Sequence, residues 1–235
     1  MKAIAKKELR GYFFSPIGYV FTGVMLLLFG FFYTQVLSYQ SSDYIPDVYS
    51  SIFTWIMMIL LPIITMRSFS EEIRNKSDQG LLTAPVGVFS IVFGKFLASF
   101  LIFAIALTAS LIPAVIITFF SSPDWPKILC TFLGSLLCGA ALIAIGNFIS
   151  SLTQSQIVAA IATFGITMML LLVGQLSSSI NNTTLQNLLN WVSFDSRYQS
   201  FTKGIFNVSS MVFFVSVVAV FVFLTARKLE SKRWS

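Results

Sequence analysis

The chain has 235 residues, 56% of them hydrophobic and only 10% charged, with a mean hydropathy of +0.85. A soluble domain carries about 25% charged residues to meet water, so most of this surface faces something else. Six apolar runs dominate the chain and leave little for a soluble domain. The net charge of +6 lies beside those runs, as membrane-flanking charge does, which excludes a nucleic-acid-binding reading. The absence of histidine removes the commonest general base and metal ligand.

Residues 1–16 carry Lys2, Lys6, Lys7 and Arg10, while Met1, Ala5, Leu9, Tyr12 and Phe13 recur at the spacing of one helix face. A basic helix with an apolar stripe suits the membrane–water interface, with Lys6, Lys7 and Arg10 as its interfacial charges; the alternative is a disordered basic leader. The run 17–37 is too long for a signal-peptide core and no small-x-small cleavage site follows it, so it reads as a retained anchor. Further spans are expected at 51–66, 92–120, 128–150, 157–177 and 208–227, because about 20 apolar residues cross a hydrocarbon core of about 30 Å. Pro62 and Pro113 fall inside the second and third spans, where proline is tolerated and kinks the helix. Cys130 and Cys138 stand about 12 Å apart along one helix, too far for a disulfide.

An inside N-terminus with six spans puts Lys2, Lys6, Lys7, Arg10, Arg67, Arg74, Lys76, Lys95, Arg227, Lys228, Lys232 and Arg233 on the cytoplasmic side. Lys127, Arg197 and Lys203 alone fall outside. The positive-inside rule therefore predicts both termini in the cytoplasm; the expected location is a bacterial inner membrane.

No acidic or basic residue lies deep within an expected span; Lys95, near the cytoplasmic end of the third, is expected to snorkel to the interface. Ion-coupled pumps and intramembrane aspartyl or metalloproteases need such groups. A serine hydrolase would lack its usual base. The pair Gly94-Lys95 lacks the upstream glycine of a phosphate-binding loop and is followed by Phe96. The chain is therefore not expected to be an enzyme, and no catalytic, cofactor-binding or metal residue is assigned. Any ATP and magnesium would be bound by another polypeptide.

The most informative stretch is the cytoplasmic loop 67–91. Ser68-Phe69-Ser70-Glu71 fits a capping box. Glu71, Glu72, Arg74, Lys76 and Asp78 follow, then Leu81, Leu82 and a stop at Pro85, predicting a helix of three or four turns with one charged side. Such a helix either docks on a cytoplasmic partner or rests on the headgroups. Small residues also recur at four-residue steps, Gly134, Cys138, Ala141, Gly146 and Ser150 in the fourth span and Ala159, Ala160, Thr163 and Thr167 in the fifth. They let helices approach closely, either within the chain or between two copies.

The loop resembles the permease subunits of the ABC-2 transporter family. Met66 to Glu72 is similar to that family's cytoplasmic exit from the second helix. Ser77-Asp78-Gln79-Gly80-Leu81-Leu82-Thr83-Ala84-Pro85-Val86 resembles its coupling segment, and Ile91-Val92-Phe93-Gly94-Lys95-Phe96-Leu97-Ala98 its entry into the third helix. Ser15-Pro16-Ile17-Gly18-Tyr19, Ser200-Phe201-Thr202-Lys203-Gly204 and Leu229 to Trp234 look most like the gliding-motility-associated subgroup, which in turn resembles the permease of the nitrous-oxide-reductase maturation system. Gly80 departs from the family's usual leucine, and glycine within a helix costs about 1 kcal/mol.

This resemblance implies an all-α fold of six transmembrane helices, an N-terminal interfacial helix, a cytoplasmic coupling helix between spans 2 and 3, and short re-entrant helices before span 6. The re-entrant part lies in an extracytoplasmic loop, 178–207, made apolar by Leu185, Leu188, Leu189, Trp191, Val192 and Phe194. The resemblance also implies two cytoplasmic ATP-binding-cassette subunits as partners, contacting Glu71, Glu72, Arg74, Asp78, Gln79 and Leu82. A second permease copy, identical or a close paralogue, an extracytoplasmic auxiliary protein and membrane lipids complete the set. Charge reversal at Glu72 is expected to uncouple the ATPase while leaving the membrane fold intact. With only Thr22, Thr54, Thr108, Asn147, Thr163, Thr167 and Gln175 as polar wall residues, the expected cargo is lipid-like, amphipathic or polymeric. The alternatives are cargo-free force transmission to an extracytoplasmic partner, or a passive scaffold or channel.

Overall fold

The computed structural model describes residues 2–38, 58–76, 87–119, 122–177 and 193–234, and all regular structure among them is helical. Helix α1 (Lys2–Phe14) meets α2 (Pro16–Ser38) at a bend of 71°. Pro16 opens α2 because its ring presets the helical φ and its missing N–H would be unsatisfied there in any case. Gly18 permits the bend: a Cβ at this position would lie 2.7 Å from the Tyr12 carbonyl oxygen, inside the last turn of α1.

Residues 58–65 are helical and turn at Met66 into α3 (Arg67–Arg74). Helix α4 (Val88–Ala109) and the short α5 (Ile112–Ile117) share one apolar stretch broken at Ser110 and Leu111, with Pro113 in the first turn of α5. The proline expected to kink the third span thus marks the break. Helix α6 (Trp125–Leu152) starts on the Asp124 carboxylate, which accepts from the Lys127 amide. Then come α7 (Gln156–Ser177), α8 (Phe194–Thr202) and α9 (Val208–Trp234). Helix α9 outlasts its expected span, carrying Arg227 to Arg233 beyond the apolar run.

Four stretches are long and apolar enough to cross a membrane, 88–117, 125–152, 156–174 and 208–233, or five when the bent α1–α2 pair counts as one. The six-span expectation also needs 51–66, of which 51–57 lie outside the described residues. Leu27, Phe31, Ile157, Ile161, Met169 and Val212 are exposed, an apolar exterior on a scale that marks contact with membrane or protein.

Helix α6 is the hub, packed against α3, α4, α7, α8 and α9. Its small residues make this possible. Gly134 receives the Phe201 side chain, Gly139 the ring of Phe103, and Gly146 the side chain of Thr65. Cys138, Ala141 and Ser150 are fully buried, and on α7 so are Ala159 and Thr167. The small-residue stripe of α6 therefore serves packing within the chain. Cys130 and Cys138 are free, buried thiols, as their spacing requires.

The ends of the bundle differ. At one, Ser150 near the end of α6 meets Met66, Phe69 and Ser70, and the Phe148–Phe221 ring pair aligns the basic end of α9 alongside. At the other, α8 lies on α6: Thr131 Oγ1 donates to the Phe201 carbonyl at 3.3 Å and Ser135 pairs with the Tyr198 hydroxyl at 2.9 Å. Gly204, in the left-handed region at φ 77°, sits beside Lys127 there.

A Gly139→Ala substitution drives a methyl into the fully buried Phe103 ring, and is expected to cost about 1–3 kcal/mol, read as a lower thermal midpoint in detergent. Gly165→Ala, where nothing lies within 4 Å, is expected to be neutral or stabilising.

Candidate functional site

The strongest concentration of charge among the described residues lies where α1, α3 and α4 converge. Lys95, in the third turn of α4, is only 2% exposed. Its ammonium donates to Glu8 Oε1 of α1 at 3.1 Å, to Glu72 Oε1 of α3 at 2.8 Å and to the Ser68 carbonyl at 2.8 Å. It also sits 5.2 Å from the centre of the Phe69 ring. Lys95 therefore does not snorkel to the surface as expected. Two carboxylates reach it from helices distant in sequence, and those ion pairs with their hydrogen bonds offset the large penalty for burying a charge.

Local sequence explains why the helices meet here. On α1, Ile4 packs on the flat spot left by Gly94, where a Cβ would come within 3.0 Å of Ile4 Cγ2, so α1 crosses α4 one residue before Lys95. One helical turn past Glu8, the buried Tyr12 hydroxyl donates to the Ile64 carbonyl at 3.0 Å and lies 3.4 Å from Ser99 Oγ. Burial pushes the Tyr12 hydroxyl up to about 12, so it stays a proton donor at physiological pH. Arg67 pairs with Glu71 at 2.8 Å and reaches the Ser15 hydroxyl at 3.4 Å.

Helix α3 corrects the capping-box expectation. Met66 is helical, its own side chain does not cap the helix, and the Ser68 hydroxyl makes no hydrogen bond among the described residues. The chain enters α3 directly from 58–65, so Ser68 never adopts the extended conformation that an N-cap needs. The cap comes from elsewhere: Ser150 Oγ on α6 accepts from the Phe69 and Ser70 amides, each at 3.1 Å, and donates to the Met66 carbonyl at 3.0 Å. The described part of α3 is eight residues, about two turns rather than three or four. It closes on Lys76 at φ 55°, whose amide donates to the Ile73 carbonyl.

The other expected positions divide as follows. Glu71 is half-buried and paired with Arg67, and Arg74 is exposed. Lys6, Lys7 and Arg10 are exposed on α1. Asp78, Gln79, Leu82 and the departure at Gly80 lie outside the described residues. Glu72 turns inward, its side chain 20% exposed. Reversing its charge would set a second ammonium against Lys95, a contact that the expectation of an intact fold did not include. Sequence reasoning missed Glu8 and gave Lys95 and Ser150 other roles, an interfacial charge and a packing residue. The available signal was a lysine inside an apolar helix, with carboxylates in the segments 1–16 and 67–91 that were expected on the same side.

A cavity of about 240 Å3 opens between α1 and α3, lined by Lys7, Glu8, Arg67, Ser68, Glu71 and Glu72 among others, with Lys95 also in its wall. Across the membrane-spanning part, Thr22, Thr108 and Thr163 donate to carbonyls of their own helices. Asn147 and Thr167 are buried, with polar atoms that have no partner among the described residues. Thr54 lies outside the described residues, as does the side chain of Gln175.

A family model described as an ABC-2 family transporter protein matches residues 2–232 of the chain. No curated protein matches it.

Lys95→Met leaves Glu8 and Glu72 facing each other without a cation and is expected to cost about 3 kcal/mol or more. Ser150→Ala removes the partner of the buried Phe69 amide and a second bond to the Ser70 amide, for about 1–3 kcal/mol. Both losses are read by thermal unfolding in detergent, and a Ser150→Ala protein as stable as the parent would deny Ser150 its capping role.

Proposed function

The chain belongs to the ABC-2 family of transporter proteins, and from that premise we propose how this permease subunit is driven. It is a multi-pass membrane protein and the permease of an ABC transporter rather than its ATPase. Two cytoplasmic ATP-binding-cassette subunits dock on the outer side of α3, at Glu71 and Arg74, with Asp78, Gln79 and Leu82 continuing the contact. The latching of α3 supports this most: Lys95 ties it to α4 and Ser150 ties it to α6. A push on α3 is thereby delivered to two spans at once. The exposed Arg74, Asn75 and Lys76 are left for the partner to grip.

In this reading α1 lies along the cytoplasmic membrane surface, with Lys6, Lys7 and Arg10 toward the headgroups, and both termini are cytoplasmic. The 71° bend into α2 and the exposure of those three residues support it. The full complex has two permease copies, each with six spans and re-entrant structure around α8, in a bacterial inner membrane. The residues around Pro16, Phe201 and Leu229 favour the gliding-motility-associated subgroup. Lipid-like, amphipathic or polymeric cargo suits spans in which Thr22, Thr108 and Thr163 bond their own backbones and whose sequence offers no charge beyond the Lys95 cluster.

Arg74→Glu is expected to weaken capture of the ATPase subunits by about tenfold at low salt without shifting the thermal midpoint of the permease. Undiminished capture would remove α3 from the docking face. A cysteine at Arg74 is expected to react with an impermeant maleimide only from the cytoplasmic side, and one at Lys203 only from the opposite side; labelling of both from one side would overturn the topology.

A further inference from the structure

The cavity between α1 and α3 holds a chemistry that the ion cluster does not consume. An ammonium has three donors, and Lys95 directs them to Glu8, Glu72 and the Ser68 carbonyl. Acceptors are left over. Among the described residues the second oxygen of Glu8 has no protein partner, and the Ser68 hydroxyl, in a residue 4% exposed, makes no hydrogen bond. A buried hydroxyl without a partner is uncommon and costly enough to call for one. Both residues line the cavity. So do two cations: Lys7, exposed and without an ion pair among the described residues, and Arg67, which shares its guanidinium between Glu71 and Ser15. At about 240 Å3 the space exceeds that of a single water many times over.

Acceptors and cations in one open cavity match a small zwitterion. We propose that this cavity binds the headgroup of an aminophospholipid, with its primary ammonium donating to Glu8 and Ser68 and its phosphate meeting Lys7 and Arg67. The inference rests on α1 lying at the membrane surface, which brings the cavity to headgroup depth. A choline headgroup has no N–H to give Glu8 or Ser68, and a glycerol headgroup has no ammonium. The site therefore selects the amine, while free phosphoethanolamine shares its chemistry and is the competing source.

The complete permease, purified with its ATPase subunits and exchanged into nanodiscs, is tested for bound lipid by native mass spectrometry. Phosphatidylethanolamine is expected to be retained over phosphatidylcholine by about tenfold, the discrimination of one charge-assisted hydrogen bond. Ser68→Ala is expected to weaken that preference, leaving the part due to Glu8, while the thermal midpoint in pure phosphatidylcholine is unchanged or raised, because the hydroxyl has no protein partner among the described residues to lose. Lys7→Ala is expected to lower retention of every phospholipid alike. Equal retention of the two lipids, or a full preference surviving in Ser68→Ala, overturns the proposal. Displacement of the lipid by soluble glycerophosphoethanolamine at equal concentration overturns the lipid as the source. Absence of the ATPase subunits from the purified complex would count against the coupling reading alone, since lipid retention is measured separately.

Discussion

A lysine ammonium shielded from water within an apolar helix bundle must be neutralised where it stands, and the arrangement around Lys95 follows from that requirement. Glu8 and Glu72 come from segments 87 and 23 residues upstream of Lys95 and converge on its one nitrogen. Replacing such a group as a whole by apolar side chains is often tolerated in folding, whereas removing one member leaves a charge uncompensated. The cluster thus acts less as a source of stability than as a geometric condition: α1, α3 and α4 satisfy it together or not at all.

The second fastening is of a different kind. Ser150 meets the start of α3 through neutral hydrogen bonds, and the helix that carries it is held along its length by close approaches at Gly134, Gly139 and Gly146. Near the opposite end of α6, Thr131, Gly134 and Ser135 hold α8. A displacement of α3 is therefore met by a rigid helix that reaches α8. Packed interiors pass on such displacements because they have little room to absorb them.

These two fastenings bear on how an ABC-2 permease with no ATPase of its own is worked from outside. Anything that grips α3 also grips the base of two spans. The same convergence leaves a cavity lined by both charge signs, in which a headgroup of the surrounding bilayer becomes part of the protein's polar network.

Much of the helical framework was legible in the residues alone. Long apolar runs have one stable answer in a bilayer, helices that satisfy their own backbone, so a helix was expected at each of α2, α4, α6, α7 and α9, though α4 stops at Ala109, short of the expected 120, and α9 runs past 227 to Trp234. Pro113 marked its break, and the four-residue steps of Gly134, Cys138 and Ala141 marked a close-packed face. Composition could not say what that face packs against, because small residues serve a neighbouring helix and a second copy equally well; the Phe201 and Phe103 side chains decided it. The polar core of the site was invisible for a similar reason. Ser68 has the right spacing for a cap, yet the helix running into it from 58–65 denies it that conformation, and a serine eighty residues downstream takes the task. Lys95 alone has every appearance of a residue that reaches for water. Its burial depends on two carboxylates whose nearness is a property of how α1 and α3 cross α4, and no local pattern carries a distance between helices.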